Sequence, residues 1–171
     1  MKRFTNSIRL SLESANWYSA LTTALTLPDV CGRLDTPNEG VGQRYKRWFS
    51  EWMLHNYKHE VGADREEVTF LSGSDCYALR CSYLHEGGSD ITQQNAREAL
   101  SNFHFITPPP KGSVVHCNKI DDALQLQVDI FCNEMADAAD RWFESVQGDE
   151  KIMSRIEALL LIHDSKNGIA F

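Results

Sequence analysis

The chain has 171 residues, of which 42% are hydrophobic and 24% charged, and its formal net charge is −7. These values are typical of one soluble globular unit with a hydrophobic core, so residues 1–171 are predicted to form a single domain. The negative charge argues against a broad basic surface for duplex nucleic acid, but it allows a local patch around one or two arginines.

The cysteine pattern and the apolar runs give information on the cellular location of the protein. The five cysteines form no CxxC pair, and no apolar leader segment follows Met1. The longest apolar run, over 158–162, is too short to span a bilayer. We therefore expect a reduced, cytoplasmic protein that has no contact with a membrane.

The N-terminal part of the chain shows helical periodicity followed by turn formers. Apolar residues at helical spacing predict a first helix over 4–27, and Pro28 is expected to end it. Residues 28–42 are dense in Pro, Gly, Asp and Asn, which predicts a long loop. Loops of this length are often functional or ligand-facing.

A second helix is predicted over 42–57, with one strongly aromatic face. Core packing explains that face. Stacking of single-stranded nucleic-acid bases is the alternative, because basic residues are interleaved with the aromatic ones. A polar connection over 59–71 follows, with a helical turn expected around 63–68. The aromatic residues are Tyr45, Trp48, Phe49 and Trp52.

The stretch 73–87 predicts a short helix with polar residues in unusual positions. Ser72 or Ser74 can cap its start, and Gly87 can end it. Two apolar stripes run along the helix, so we expect it to be buried on two sides. Its polar side chains would then lie at an interface, where each needs a partner or a function.

The C-terminal half mixes strand and helix patterns. Residues 102–129 predict a small antiparallel β-meander, with 114–117 as its second strand and alternating residues near 124–130 as its last. Helices are predicted over 130–146 and 149–164. The predicted fold is therefore mainly α, a helical bundle with a small antiparallel meander.

Two sets of residues have the spacing of a metal or nucleophilic site on a continuous helix. Glu51, His55 and His59 recur every four residues, as do Cys81 and His85. A structural zinc site needs closely paired ligands in both halves, and a cysteine nucleophile needs an orienting acid and oxyanion donors. Surface histidines and core cysteines explain both sets better. We predict no metal and, since no phosphate-binding glycine loop is present, no cofactor.

Arg80 and His85 carry the strongest catalytic signal. Arginine can hold a phosphate in bidentate geometry, and histidine can transfer a proton near neutral pH. Together they suit metal-free RNA cleavage, in which a ribose 2′-hydroxyl attacks the adjacent phosphate. Five residues correspond to about 140° around an ideal helix, so only the long arginine side chain or a loosened last turn would bring the pair together. The structural alternative pairs a buried Arg80 with an acid such as Asp75 and leaves His85 as a helix-end residue favoured by the dipole.

The segment Arg80-Cys-Ser-Tyr-Leu-His85 fits the Arg-x(4–6)-His signature and resembles the ribonucleases of the HEPN superfamily (higher eukaryotes and prokaryotes nucleotide-binding). The preceding Cys76-Tyr-Ala-Leu79 and the following Glu86-Gly87 are also similar to the helix that carries this motif. The resemblance implies a helical bundle that dimerises and joins two motifs into one metal-independent ribonuclease site. The predicted catalytic residues are Arg80 and His85, and the predicted binding residues are Ser82, Asp75 and Tyr77.

The sequence therefore predicts a HEPN-like, metal-independent endoribonuclease of a toxin or defence system. The predicted partners are a second copy of the chain, RNA, and an antitoxin or another protein, and the apolar tail over 169–171 is expected to dock on a neighbour. The alternative is a non-catalytic helical module that binds a protein or a nucleotide, with Arg80 and His85 in structural roles. The direction in which these two side chains point separates the two hypotheses.

Overall fold

A computed structural model describes residues 1–167, except for the side chains of Lys111 and Asn167. Within this range the chain is mainly α-helical, as predicted, and carries two small sheets. The helices are α1 Lys2–Glu13, α2 Trp17–Asp35, α3 Val41–Trp52, α4 Gly73–Glu86, α5 Val128–Val146 and α6 Glu150–Glu157. The strands are β1 Lys58–Val61, β2 Glu66–Thr69, β3 Asn102–Ile106, β4 Asn118–Ile120 and β5 Ala123–Gln127.

The first predicted helix is in fact two helices. α1 ends at Glu13, and Ala15 then adopts a left-handed φ of 55°. The side chain of Asn16 caps α2 by accepting a hydrogen bond from the N–H of Ser19. Asparagine competes for local backbone N–H groups and therefore favours a cap over a helix interior. The prediction of one continuous helix over 4–27 is wrong for this reason.

Pro28 does not end a helix. It lies inside α2, which continues to Asp35, so the predicted loop over 28–42 shrinks to residues 36–40. A proline in a helix interior removes a backbone hydrogen bond and costs roughly 3 kcal/mol. Burial outweighs that cost here, because α2 packs against α1, α3 and α5 and buries both Leu27 and Pro28.

The second predicted helix is shorter than expected, and its aromatic face lies in the core. α3 ends at Trp52, where a short turn of 3₁₀-helix follows. Tyr45, Trp48 and Phe49 are each 0% exposed. The core-packing interpretation is therefore confirmed for these three side chains, and they offer no face on which a base could stack.

Residues 58–69 form a β-hairpin where a polar connection with a helical turn was expected. β1 and β2 pair antiparallel, with Lys58 opposite Thr69. Gly62 and Arg65 in the connecting turn have φ values of 78° and 52°. These left-handed conformations are incompatible with a right-handed helical turn.

The predicted antiparallel meander over 102–129 is a mixed sheet instead. β5 lies in the middle, with β3 parallel to it on one side and β4 antiparallel to it on the other. Residues 114–117, predicted as a strand, are not part of the sheet. Three successive prolines follow β3 and cannot donate ladder hydrogen bonds, so no hairpin forms there. The chain instead crosses to the far edge as β4 and returns between the two strands as β5.

The C-terminal helices agree with the sequence patterns at their starts. α5 begins near the predicted residue and ends at Val146, but α6 ends at Glu157, before the predicted 164. The following apolar residues 160–162 are exposed. The tail over 169–171, expected to dock on a neighbour, lies outside the described residues. Among residues 1–167, no helix is both long enough and apolar enough to cross a membrane.

Asp140 of α5 connects α1 to the core. Its carboxylate accepts a hydrogen bond from Thr5 at 3.0 Å and lies 3.3 Å from Lys2 Nζ and 2.9 Å from the guanidinium of Arg9. Burial acts to raise the pKa of Asp140, but the hydrogen bonds from Arg9, Thr5 and Lys2 outweigh it and hold the pKa below its ordinary value. The ionised carboxylate is therefore the form that stabilises the fold.

Replacing Asp140 with asparagine is expected to lower the free energy of unfolding by about 1–2 kcal/mol at neutral pH, since charge-assisted hydrogen bonds are lost. The folded-state pKa lies below the unfolded-state value, so this contribution is complete above the unfolded-state pKa and disappears as the pH falls below about 4. Urea denaturation at neutral and acidic pH measures it. Asp137→Asn, on the exposed side of the same helix, is the control. A difference between wild type and Asp140→Asn that does not shrink in acid would contradict this assignment.

Candidate functional site

Helix α4 is fixed at both ends by signals in its own sequence. The Ser72 hydroxyl accepts a hydrogen bond from the N–H of Asp75 at 3.1 Å and caps the start. At the other end Gly87 has a left-handed φ of 71°, and its N–H donates to the carbonyl of Tyr83 at 3.0 Å. The predicted caps are therefore confirmed, and the last turn of the helix is well defined.

Two glycines allow α3 and α4 to approach closely. A β-carbon at Gly73 would lie 2.8 Å from the carbonyl oxygen of Lys46, and one at Gly42 would lie 3.1 Å from the ring of Tyr77. Larger residues at either position would push the helices apart. This close packing fixes the position of α4 relative to α3, and with it the positions of the polar side chains on α4.

Arg80 and His85 meet at the C-terminal end of α4. Nη1 of Arg80 lies 3.2 Å from Nε2 of His85, although an ideal helix separates the two positions by about 140°. α4 stays α-helical through Glu86, so the reach of the arginine side chain closes the gap, and not a loosened turn. The His85 side chain is exposed, whereas that of Arg80 is only 20% exposed. The pair thus forms within one chain, with the imidazole on the solvent side.

The acidic partner of Arg80 is Asp29 of α2, which the sequence did not indicate. Nε of Arg80 donates to Oδ2 of Asp29 at 2.8 Å, and the Asp29 side chain is 15% exposed. Burial raises the pKa of Asp29 by more than the Arg80 guanidinium lowers it. For Arg80, burial acts to lower the pKa, but the Asp29 carboxylate outweighs it and raises the pKa. Arg80 is therefore positively charged, and Asp29 holds its guanidinium in place from the interior of the protein.

Arg80 pairs with an acid, as the structural alternative expected, but Asp75, the acid named as the example, is not that partner. The Asp75 carboxylate, 1% exposed, accepts hydrogen bonds from the N–H groups of Glu98 at 2.7 Å and Ala99 at 3.2 Å. The loop before β3 supplies these donors, and its backbone groups would otherwise lack partners. Asp75 thus fastens that loop to the start of α4.

The other two predicted binding residues differ in their access to a ligand. Ser82 is 1% exposed, and its hydroxyl donates to the carbonyl of Asp90 at 2.7 Å, so it serves the fold. Tyr77 is half-buried, with its ring 5.2 Å from that of Tyr45. Burial raises the pKa of Tyr77, with a further contribution from the neighbouring Cys81. Of the three, Tyr77 alone reaches the surface.

The arrangement pairs a fixed cation with an exposed imidazole. A guanidinium can stabilise the charge of a phosphate, and an imidazole can accept or donate a proton, so together they suit metal-free phosphodiester chemistry. No family model, curated protein or solved structure matches this chain. Its function is therefore inferred from the site.

The surface beside the pair is formed by α2. The hydroxyl of Thr22 lies 3.4 Å from that of Tyr83 on α4, and Tyr18, one turn earlier on α2, is 78% exposed. On the other flank of α2, an apolar groove of about 610 Å³ includes Thr22 and is bordered by the exposed residues 160–162. Apolar surface is thus uncovered along α2, at Tyr18 and in this groove.

The residue sets with metal-like spacing do not assemble. α3 ends before His55, and His59 lies on β1, so Glu51, His55 and His59 do not share a helix. Cys81 and His85 do share α4, but Nε2 of the histidine is engaged by the guanidinium beside it. Within residues 1–167, no group of three or more His, Cys, Asp or Glu side chains is placed to hold a metal ion.

Proposed function

We propose that the chain is a HEPN-like, metal-independent endoribonuclease that works as a homodimer in the cytoplasm. One observation carries the proposal: the 3.2 Å contact between Nη1 of Arg80 and Nε2 of His85. It joins a phosphate-binding cation to a proton-transferring ring at the exposed end of a helix. The mainly helical fold and the position of the pair near a helix C-terminus agree with the Arg-x4-His resemblance.

The proposed reaction uses the nucleophile that RNA itself carries. The 2′ oxygen forms a bond to the adjacent phosphorus, and the bond from phosphorus to the 5′ oxygen of the next nucleotide breaks. His85 accepts the proton of the 2′-hydroxyl, while the protonated imidazole of a second copy gives a proton to the departing 5′ oxygen. Arg80 stabilises the charge on the non-bridging oxygens. The products are a 2′,3′-cyclic phosphate and a 5′-hydroxyl.

A second copy is part of the proposal because one chain offers a single imidazole at the site. The reaction uses one base and one acid, so the partner's motif would supply the missing group. The exposed side chain of Tyr18 and the apolar residues 160–162 support packing along α2, since apolar surface of this kind commonly marks an interface. The dimer would thereby bring two motifs to one cleft.

An enzyme that cuts RNA harms the cell that makes it unless it is controlled. The proposal therefore includes a toxin or defence role, with an antitoxin or another protein as the silencing partner. The Arg80–His85 region is the expected target of that partner, because covering it blocks access of RNA.

The experiment is cleavage of single-stranded RNA and transfer RNA by the purified full chain in the presence of EDTA. The expected result is fragments with 2′,3′-cyclic phosphate ends, produced by a protein that elutes as a dimer in gel filtration. Intact RNA after incubation with a folded dimer would contradict the enzymatic function. Cleavage by a folded monomer would contradict a site built from two copies of the chain, but it would be consistent with metal-independent cleavage of RNA.

One observation favours a second function, a non-catalytic module that binds a protein or a nucleotide. The ion pair between Arg80 and Asp29 is largely withdrawn from water, and it can hold α4 against α2 without any substrate. If this is its sole role, Arg80→Ala lowers stability, and His85→Ala, which removes an exposed side chain, changes neither stability nor binding. The two functions are therefore distinguished most clearly by the effect of His85→Ala, which lowers activity in an enzyme and changes nothing in a binding module.

A further inference from the structure

The contact between Arg80 and His85 determines which imidazole nitrogen carries the proton. A guanidinium has only donors and stays charged throughout the physiological pH range. Nη1 of Arg80, 3.2 Å from Nε2 of His85, must therefore donate, and Nε2 must accept. The neutral ring then carries its proton on Nδ1, the opposite nitrogen.

This arrangement leaves His85 without a free lone pair. Nδ1 bears the proton and the lone pair of Nε2 is engaged by Arg80, so neither nitrogen can take a proton from a hydroxyl. A proton on Nε2 would point at an N–H of the guanidinium. In the free protein the ring is thus held in a form that cannot act as a base.

Asp29 holds Arg80 from the side opposite to His85. Its Oδ2 accepts from Nε at 2.8 Å, and the two side chains are 15% and 20% exposed. Because Nε is anchored, the rigid, planar guanidinium can stay in place while the exposed His85 ring turns away from Nη1, and the ion pair persists. The arginine is therefore fixed at one edge and free to exchange partners at the other.

We propose that the Arg80–His85 contact is a resting contact that an RNA phosphate opens, with Asp29 as the positioning residue that holds Arg80 during the exchange. A phosphate oxygen attracts a guanidinium N–H more strongly than a neutral imidazole does, because both partners are then charged. When a non-bridging oxygen replaces Nε2 as the acceptor of the Nη1 N–H, the lone pair of Nε2 becomes free to accept the 2′-hydroxyl proton. The inference rests on the proposed ribonuclease function and adds that the substrate itself activates the base.

The tautomer of His85 is the quantity that tests the resting contact. ¹⁵N NMR of the full chain at about pH 8, where histidines of ordinary pKa are neutral, is expected to show His85 with an unprotonated Nε2 and a protonated Nδ1. A 2′-O-methyl RNA oligonucleotide, which cannot be cut by this route, is expected to move the His85 signals toward those of the free Arg80→Ala variant. A free wild-type protein whose His85 carries its proton on Nε2 would overturn the proposal, as would bound RNA that leaves the signals unchanged.

Asp29→Asn tests the positioning role separately. The amide keeps the shape of the side chain but not its charge, so the ion pair is reduced to a weaker hydrogen bond and Arg80 is held less firmly. The expected results are a mixed His85 tautomer in the free protein and a loss in kcat on the order of 10-fold to 100-fold. Asp35→Asn is the matched control, because Asp35 also lies on α2 and pairs with an arginine, Arg47, at 3.0 Å. An Asp29→Asn protein with the wild-type tautomer would overturn the positioning role.

The resting contact and the ribonuclease function can fail independently. RNA that binds and shifts the His85 signals but is not cut, when the 2′-hydroxyl is present, would overturn the ribonuclease and support the resting contact. RNA that is cut by a protein whose free His85 has its proton on Nε2 would support the ribonuclease and overturn the resting contact.

Discussion

His85→Ala is expected to lower the rate of RNA cleavage by about 10²-fold to 10⁴-fold, the usual worth of a positioned general base or acid. The free energy of unfolding should stay within about 0.5 kcal/mol of the wild-type value, because the side chain is exposed and its hydrogen bond is to Arg80 Nη1 at the surface. Single-turnover kinetics and urea denaturation measure the two quantities. His55→Ala, which also removes an exposed histidine, is the control and should change neither.

Arg80→Ala should lose activity to a similar extent, but with an added cost to the fold. The change leaves the largely buried carboxylate of Asp29 without its counter-charge, which typically costs about 3 kcal/mol or more. Arg80→Lys keeps a charge near Asp29 and loses the planar fork that grips a phosphate, so it separates catalysis from stability. Full activity in either His85→Ala or a folded Arg80→Lys protein would contradict the assigned roles.

Asp75→Ala is expected to lower the free energy of unfolding by about 3 kcal/mol. Its buried carboxylate accepts from the backbone N–H groups of residues 98–100 and from the hydroxyl of Ser72. Without it, the backbone donors of the loop before β3 and the Ser72 hydroxyl lose a charged acceptor at once. Urea denaturation with an unchanged m-value is the appropriate measurement.

Two companion variants show whether the effect of Asp75 comes from its buried hydrogen bonds. Asp75→Asn retains one carbonyl oxygen and should lose roughly half as much stability. Asp90→Ala removes an exposed carboxylate that accepts from the N–H of Thr92 at 2.8 Å, and it should cost less than about 1 kcal/mol. Equal effects for Asp75→Ala and Asp90→Ala would contradict the role assigned to Asp75.

Helix α4 was predictable almost to the residue because its limits are set locally. Ser72 and Gly87 act on backbone groups within a few positions of themselves, so their effect can be deduced without the fold. The mainly helical class followed from periodicity for the same reason. The aromatic face of α3 also followed, since large apolar side chains at helical spacing are most often buried.

Features that depend on distant parts of the chain were not predictable. The helix-breaking tendency of Pro28 is local, whereas the packing that overrides it comes from three other helices. The parallel pairing of β3 with β5 depends on a crossover that no single segment encodes. In both cases local preference and tertiary packing disagree, and packing decides.

The candidate site was predictable in part. Arg80 and His85 could be named, but their contact could not, because an ideal helix wheel neglects how far an arginine reaches. Asp29 lies 51 positions from Arg80 and next to a proline that suggested a loop, so nothing in the sequence marked it as the anchor. Asp75 was marked by its position on α4, yet its partners are backbone groups that no residue pattern reveals.

The most direct measurement compares two RNA oligonucleotides, identical except for the 2′-hydroxyl at the site of cleavage, incubated with the purified protein in EDTA. The proposed mechanism predicts that the all-ribose strand is cut to a 2′,3′-cyclic phosphate, and that the strand with a single 2′-deoxy sugar stays intact at that position. Cleavage of both strands at that position, or of neither by a folded dimer, would contradict it.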